Sequence, residues 1–201
     1  MPLAALIIFV KNPVEGHVKT RIAKTVGHAK ATEIYRELLR YTHDVTEHLP
    51  DEGYAKTVYY GDYVNENDLW DGWAKALQPG GDLGDRMKQA FREQFEAGAD
   101  RVVIIGSDCL SLHLHHLTEA FQQLNAHDVV IGPSTDGGYY LLGMNQLHES
   151  LFDNMPWSLP ELMTKTKVAL QSRNLSYCLL ETLTDVDEWE DYLAIKTQLS
   201  G

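Results

Sequence analysis

The stretch "VIIGSDCLSL", residues 103–112, poses the question on which the fold turns. An apolar run, Val103 to Ile105, stops at Gly106 and Ser107 and is followed at once by Asp108. A strand covered on both faces is apolar throughout, and in an open α/β sheet its carboxyl end meets the crevice where ligands sit. A carboxylate at that point is either a turn former or part of a site. Which it is depends on whether other strands of the chain end in the same way.

Leu3 to Val10 is another continuous apolar run, and the loop "KNPVEGHVKTR", residues 11–21, follows it. A short helix is expected from Val18 to Val26, stopping near Gly27, and a longer one from Lys30 to His48. In the longer one, Ile34, Leu38, Tyr41, Val45 and Leu49 keep helical spacing. "AKTVYYG", residues 55–61, reads as a strand. Residues 62–82 read as polar and irregular, with one helical turn at most. Leu83, Met87, Phe91 and Phe95 recur every fourth residue, so 82–98 is helical, with Gly98 closing it. "DRVVIIG" is a strand, "LHHLTEAFQQLN" a helix, and "DVVIGP" and "GGYYLLGM" are strands. These two lie too close for a helical crossover, so either a hairpin or another departure from the parallel pattern is expected there. "WSLPELMTKTKVALQSRN", 157–174, reads as a helix with Ser158 and Glu161 as a capping box. "SYCLLE" is a strand, and 185–199 a final helix in which Asp187 and Glu190 are spaced as a second capping box. Strands alternating with helices predict an α/β fold, a three-layer α/β/α sandwich around a mostly parallel sheet.

Composition narrows the function. The 201 residues suit one domain, or one domain with a small appendage. The formal net charge of −12 repels phosphate backbones, which excludes nucleic acid as an expected partner. No apolar run approaches the roughly 20 residues of a membrane span. "MPLAALIIFV" lacks a basic leader and a cleavage site, so it reads as a strand rather than a signal peptide. Cys109 and Cys178 form neither a disulfide framework nor a zinc signature, which fits thiols kept reduced in a cytoplasmic protein.

Within this acidic chain the loop after the first strand reverses sign. Lys11, Lys19 and Arg21 fall within eleven residues, Gly16 permits close backbone approach, and a helix N-terminus follows. That is the chemistry of a phosphate pocket, although it is neither a P-loop nor a dinucleotide fingerprint. A solvated basic loop accounts for the spacing equally well. Asp108 suits Mg²⁺ or Mn²⁺ held beside phosphate oxygens, or the cap of a turn. In "GPSTDGGYYLLG", Asp136 also follows an apolar strand, with Gly137 and Gly138 beside it. It would face the same cation, or bond its own backbone in a glycine-rich turn. Asp187 is explained by capping, which leaves Asp185 over; either would serve as a late metal ligand. "GGDLGDRM" offers Gly84 and Asp85 to a base or ribose and Arg86 to a phosphate, or simply opens a helix. His113, His115 and His116 fit no common zinc spacing. Trp157, after Pro156, would line an acceptor pocket or the core.

Six blocks in order, "FVKNPVEGHVKTR", "GDLGDRMKQAF", "GSDCLSL", "PSTDGGYYLLG", "PWS" and "DVDEWEDYL", span nearly the whole chain. In them the chain resembles the small bacterial glycosyltransferase-A-like family of the nucleotide-diphospho-sugar transferase superfamily, often found beside radical-SAM genes. It is more distantly similar to the guanylyltransferases of deazaflavin-cofactor synthesis and to molybdenum-cofactor nucleotidyltransferases. The resemblance implies a nucleotide-binding half over about residues 1–110 and an acceptor half over about 111–201. It implies that Lys11, Gly16, Lys19 and Arg21 hold nucleotide phosphates, that Leu83, Gly84 and Arg86 lie by the nucleoside, and that Asp108 and Asp136 share a Mg²⁺ or Mn²⁺ ion. Gly137, Gly138, Tyr139 and Trp157 would then line the acceptor pocket, with Asp136 as catalytic base. Leu110 stands where the family usually has proline, and Glu188 and Trp189 replace a usual threonine-proline. The expected activity is transfer from a nucleotide-diphosphate sugar to a small-molecule acceptor. The alternatives are nucleotidyl transfer from a nucleoside triphosphate, a nucleotide-binding module without catalysis, and a purely structural use of the acids.

Overall fold

The structure is a computed structural model that describes residues 4–199. Leu3, where the first strand was expected to begin, lies outside them. Apolar strands and amphipathic helices alternate as the sequence predicts. The strands are β1 (Ala4–Val10), β2 (Tyr54–Tyr60), β3 (Ala74–Leu77), β4 (Arg101–Ile105), β5 (Val129–Pro133), β6 (Tyr139–Met144) and β7 (Tyr177–Leu179). The helices are α1 (Thr20–Val26), α2 (His28–Glu47), α3 (Leu83–Glu96), α4 (Leu114–Gln123), α5 (Leu162–Ser172) and α6 (Trp189–Leu199), with a 3-10 turn at Glu149–Leu151.

One seven-stranded sheet has the order β3-β2-β1-β4-β6-β5-β7. Every pairing is parallel except those of β6, which runs antiparallel to both β4 and β5. Of the two expectations for β5 and β6, the hairpin is the one present, and its second strand inserts between β4 and β5. Alternate residues of each central strand feed opposite cores, as the period of two requires. Leu6, Ile8, Val103 and Ile105 pack with Ile22, Leu38, Phe121 and Ile195, so α1, α2, α4 and α6 cover one face. Ala5, Ile7, Val102 and Ile104 pack with Met87, Phe91 and Leu170, so α3 and α5 cover the other. Each fully buried large side chain contributes roughly 1.5–3 kcal/mol by leaving water.

Three local expectations are corrected. The segment expected to be irregular contains β3, an edge strand whose "AKAL" is short and half exposed and so lacks an apolar signature. The helix expected from Trp157 begins at Leu162, because Ser158 takes a left-handed conformation (φ 62°) and no side-chain bond caps Glu161. The second capping box is absent too. The backbone N–H groups of Asp187 and Glu188 donate to Asp191 Oδ2, while the Asp187 carboxylate turns away toward Lys19 and Arg21.

Candidate active site

Strand order reverses between β1 and β4: β2 and β3 lie on one side of β1, β4 and β6 on the other. In a doubly wound sheet the loops leaving two such strands diverge and open a crevice at their carboxyl ends. A cleft of about 620 Å³ opens there. Its walls come from the loop after β1, the turn after β4, the β5–β6 turn, the start of α3, and the segment after β7.

The last segment is the one that closes the site. Leu183 N–H donates to Pro133 O at 3.0 Å and Thr135 N–H to Leu183 O at 3.0 Å, tying it to the end of β5. Val186 N–H donates to Asp108 O at 2.8 Å, tying it to the turn after β4. Asp185 and Asp187 thereby join Asp108 and Asp136 on the cleft wall.

Lys19 is the positive counterpart. It stands immediately before α1 in a left-handed conformation (φ 46°, ψ 46°). Its ammonium lies 2.8 Å from Asp108 Oδ1, donates to Val186 O at 2.7 Å and lies 3.7 Å from Asp187 Oδ1. The side chain is only 7% exposed. Arg21 Nη1, at the surface, meets Asp187 Oδ2 at 3.5 Å.

Asp185 reports the excess negative charge. Burial raises its carboxyl to about 7 from the ordinary 3.8, and the carboxylates of Asp108, Asp136 and Asp187 push the same way against Lys19. The folded chain therefore holds a proton there that the unfolded chain has already released, so stability falls as pH rises between 3.8 and about 7. In the presence of a chelator, Asp185→Asn is expected to flatten that decline and to melt above the wild type at pH 8, with the gap closing towards pH 4. Parallel melting-temperature profiles for the two proteins would refute this account of Asp185.

Asp136 makes the bonds of a turn aspartate and leaves one oxygen free at the cleft. Its Oδ1 accepts from Ser134 Oγ and, at 2.9 Å, from Gly138 N–H, as a turn aspartate does. The residue is exposed on the cleft wall, and Oδ2 takes no hydrogen bond among the described residues. Lys11, Leu83, Arg86, Gly138, Tyr139 and Trp157 also line the cleft. Gly16, Gly84 and Gly137 do not. Gly16 shapes the turn ahead of Lys19 at φ 83°. Gly84 is the seat of the Trp157 indole, since a Cβ there would fall 2.5 Å from its Nε1. Gly106 is not sterically required, because a Cβ there would meet open space. Ser107 bonds the Tyr35 hydroxyl at 3.2 Å and braces the turn. Cys109 is buried and its thiol is pushed up to about 12, first by burial, so it is not a nucleophile.

The sequence reading left Asp185 over and assigned Asp187 to a cap. A signal for both was present: "TDVD" follows β7 as Asp108 follows β4 and Asp136 follows β5. Gln78, His17 and Thr20, also on the wall, carried no such signal.

Among the described residues two other groups could hold a metal, His115–His116–Glu181 and His43–Asp44–Glu47, and neither lies in the cleft. In the first, His113 N–H donates to His116 Nδ1 at 2.9 Å. That fixes the neutral tautomer with its proton on Nε2, the atom facing Glu181 at 3.5 Å, and ligation through Nε2 would break the bond. In the second, His43 packs edge-on against Trp70 while both acids are exposed.

A parallel sheet with one antiparallel strand, layered by helices and open at this switch point, is the nucleotide-diphospho-sugar transferase-like fold. The chain belongs to the bacterial family described as "Uncharacterized protein conserved in bacteria (DUF2064)", which matches residues 25–159. It is similar to the "putative nucleotide-diphospho-sugar transferase" of Desulfovibrio desulfuricans G20, with 31% identity and a TM-score of 0.88 over 98% of this chain and 88% of that one. Two solved structures share the fold at 13% identity. One is a nucleotidyl transferase from Methanothermobacter thermautotrophicus (TM-score 0.66, 98% of each chain). The other is Rv0371C from Mycobacterium tuberculosis H37Rv in complex with manganese (TM-score 0.58, 97% of this chain and 98% of that one). No curated protein matches the sequence. Among the described residues no helix is long and apolar enough to cross a membrane.

Proposed function

We propose that this protein is a metal-dependent transferase that cleaves a nucleotide-diphosphate sugar and passes the sugar to a small-molecule acceptor. The observation that carries the reading is the meeting, at the switch-point cleft, of cations from the loop after β1 with four carboxylates from three separate segments. Turn formers and solvated charges would scatter. Here Asp108, Asp136 and Asp187 together raise the proton affinity of Asp185.

The donor set is all oxygen, which fits Mg²⁺ or Mn²⁺ rather than a thiolate-seeking ion. Asp108 and Asp136 would hold the ion, with Asp185 and Asp187 adjacent. Such an ion supplies positive charge to a departing diphosphate. Lys11, Lys19, Arg21 and Arg86 would bind the phosphates, and Leu83 would border the nucleoside. Roughly residues 1–110 thus form the donor half. In the acceptor half, residues 111–201, Gly138, Tyr139 and Trp157 border the acceptor, with Gly137 shaping the turn. Asp136 Oδ2 would take the proton of the attacking hydroxyl only where Asp108 alone holds the ion, while Ser134 and Gly138 hold Oδ1 in place. The free thiols suit a cytoplasmic setting, and the net charge of −12 disfavours nucleic acid.

Nucleotidyl transfer, as in the deazaflavin- and molybdenum-cofactor enzymes, is the second reading, favoured by the fold shared with a nucleotidyl transferase. A thermal-shift panel of nucleotide sugars and nucleoside triphosphates, with and without Mn²⁺, tests both. A nucleotide sugar that stabilises only with Mn²⁺ and then releases nucleoside diphosphate supports glycosyl transfer. Pyrophosphate released from a triphosphate supports the second reading. Saturable binding without turnover leaves a binding module, and no shift across the panel overturns the proposal.

A further inference from the structure

We propose that Lys19 is the resident cation of the carboxylate cluster, and that a divalent ion gains Asp108 by displacing the Lys19 ammonium. The inference rests on the proposed metal site but concerns this side chain alone. The ammonium is seated among three oxygens, from Asp108, Val186 and Asp187, two of them within 2.8 Å. That is an oxygen-lined cation seat filled by the protein's own charge. The backbone of Lys19 is held in the left-handed region, which strains a residue with a Cβ. Its side chain is 7% exposed, against 60% for Arg21 two residues on. A buried ammonium needs paired oxygens, and the carboxylates of Asp108 and Asp187 beside it need a cation. Each requirement is met by the other for as long as no metal ion is present.

A divalent ion on Asp108 removes one of the close contacts and repels the ammonium. Lys19 then has a single close partner, Val186 O, and sits on the loop that borders the cleft. An incoming diphosphate would become its new counter-ion. Metal and diphosphate should therefore bind with positive coupling through this one side chain.

The direct test is Mn²⁺ alone, titrated by the electron paramagnetic resonance of the free ion against wild type, Lys19→Gln and Lys11→Gln. Lys19→Gln removes the competitor, so Mn²⁺ is expected to bind about tenfold tighter or more, as the loss of one charge-assisted contact implies. Lys11→Gln, which removes a cleft charge that makes no bond to Asp108, should change affinity by less than about threefold. Equal or weaker binding to a folded Lys19→Gln protein, an equal gain in Lys11→Gln, or no Mn²⁺ binding to any of the three overturns the inference. Should Lys19→Gln fail to fold, the wild type still decides. Amine labelling read by mass spectrometry should modify Lys19 at least about fivefold faster with Mn²⁺ than with chelator, and an unchanged rate overturns it. Displacement of Lys19 by Mn²⁺ without stabilisation by any nucleotide would sink the transferase reading and leave this one standing.

Discussion

Asp108→Asn is expected to lower turnover of any nucleotide donor by about 100-fold or more, the usual effect of removing one positioned charge from a site that stabilises a departing anion. Asparagine fills the same volume, and the bond that holds the site together here, Val186 N–H to Asp108 O, belongs to the backbone. The fold should survive. The carboxylate is what is lost: it pairs with Lys19 at 2.8 Å and would be the first ligand of the ion. The Mn²⁺-dependent part of any thermal shift should vanish with it, while the melting curve without metal stays cooperative. Turnover within about threefold of wild type in a folded Asp108→Asn protein would show that this acid is only a turn residue.

Gly137→Ala should act on stability rather than chemistry, by about 3 kcal/mol. Gly137 sits at φ 91°, where a residue with a Cβ is strained. The added Cβ would also fall 2.2 Å from the Pro160 carbonyl oxygen, a backbone atom that cannot rotate away. Gly137 O in turn accepts from Met163 N–H at 2.9 Å, so the β5–β6 turn and the start of α5 must separate or deform together. A fall in melting temperature of about 10 °C is expected for a domain of this size. Donor affinity should fall too, because Asp136 and Gly138 share the turn. Gly106→Ala, where a Cβ meets open space, is the matched control and should leave the melting temperature within a degree or two. A melting temperature for Gly137→Ala equal to that of the control would show that the turn is freer than its contacts imply.

Local pattern determined a great deal. The apolar runs of β1, β4 and β5 state that both faces are covered. The fourfold spacing of Leu83, Met87, Phe91 and Phe95 places α3, and Gly27 separates α1 from α2 at φ 83°. The expectation that acids just past apolar strands gather at a crevice follows from that pattern and from strand direction. Asp108 and Asp136 do line one cleft together with Lys11, Lys19 and Arg21.

Local pattern could not place what depends on pairing. β3 is legible only once β2 lies beside it, since its own four residues are small or half exposed and make no apolar run. Nothing in "YYLLGM" says that β6 lies between β4 and β5. The apparent caps at Ser158 and Asp187 match the usual spacing, yet spacing does not say where the backbone turns into helix.

The decisive contact, Lys19 to Val186, joins residues 167 apart. Sequence alone determined which residues bear charge and which strands carry them to an edge, because period and hydrophobicity act over a few residues. Only the tertiary structure decided that the segment after β7 folds back across β5 and β4, making Asp187 a partner of Lys19 and Asp185 a half-buried acid. Long-range hydrogen bonds and electrostatic balance made that choice, and neither leaves a mark within any one short stretch of chain.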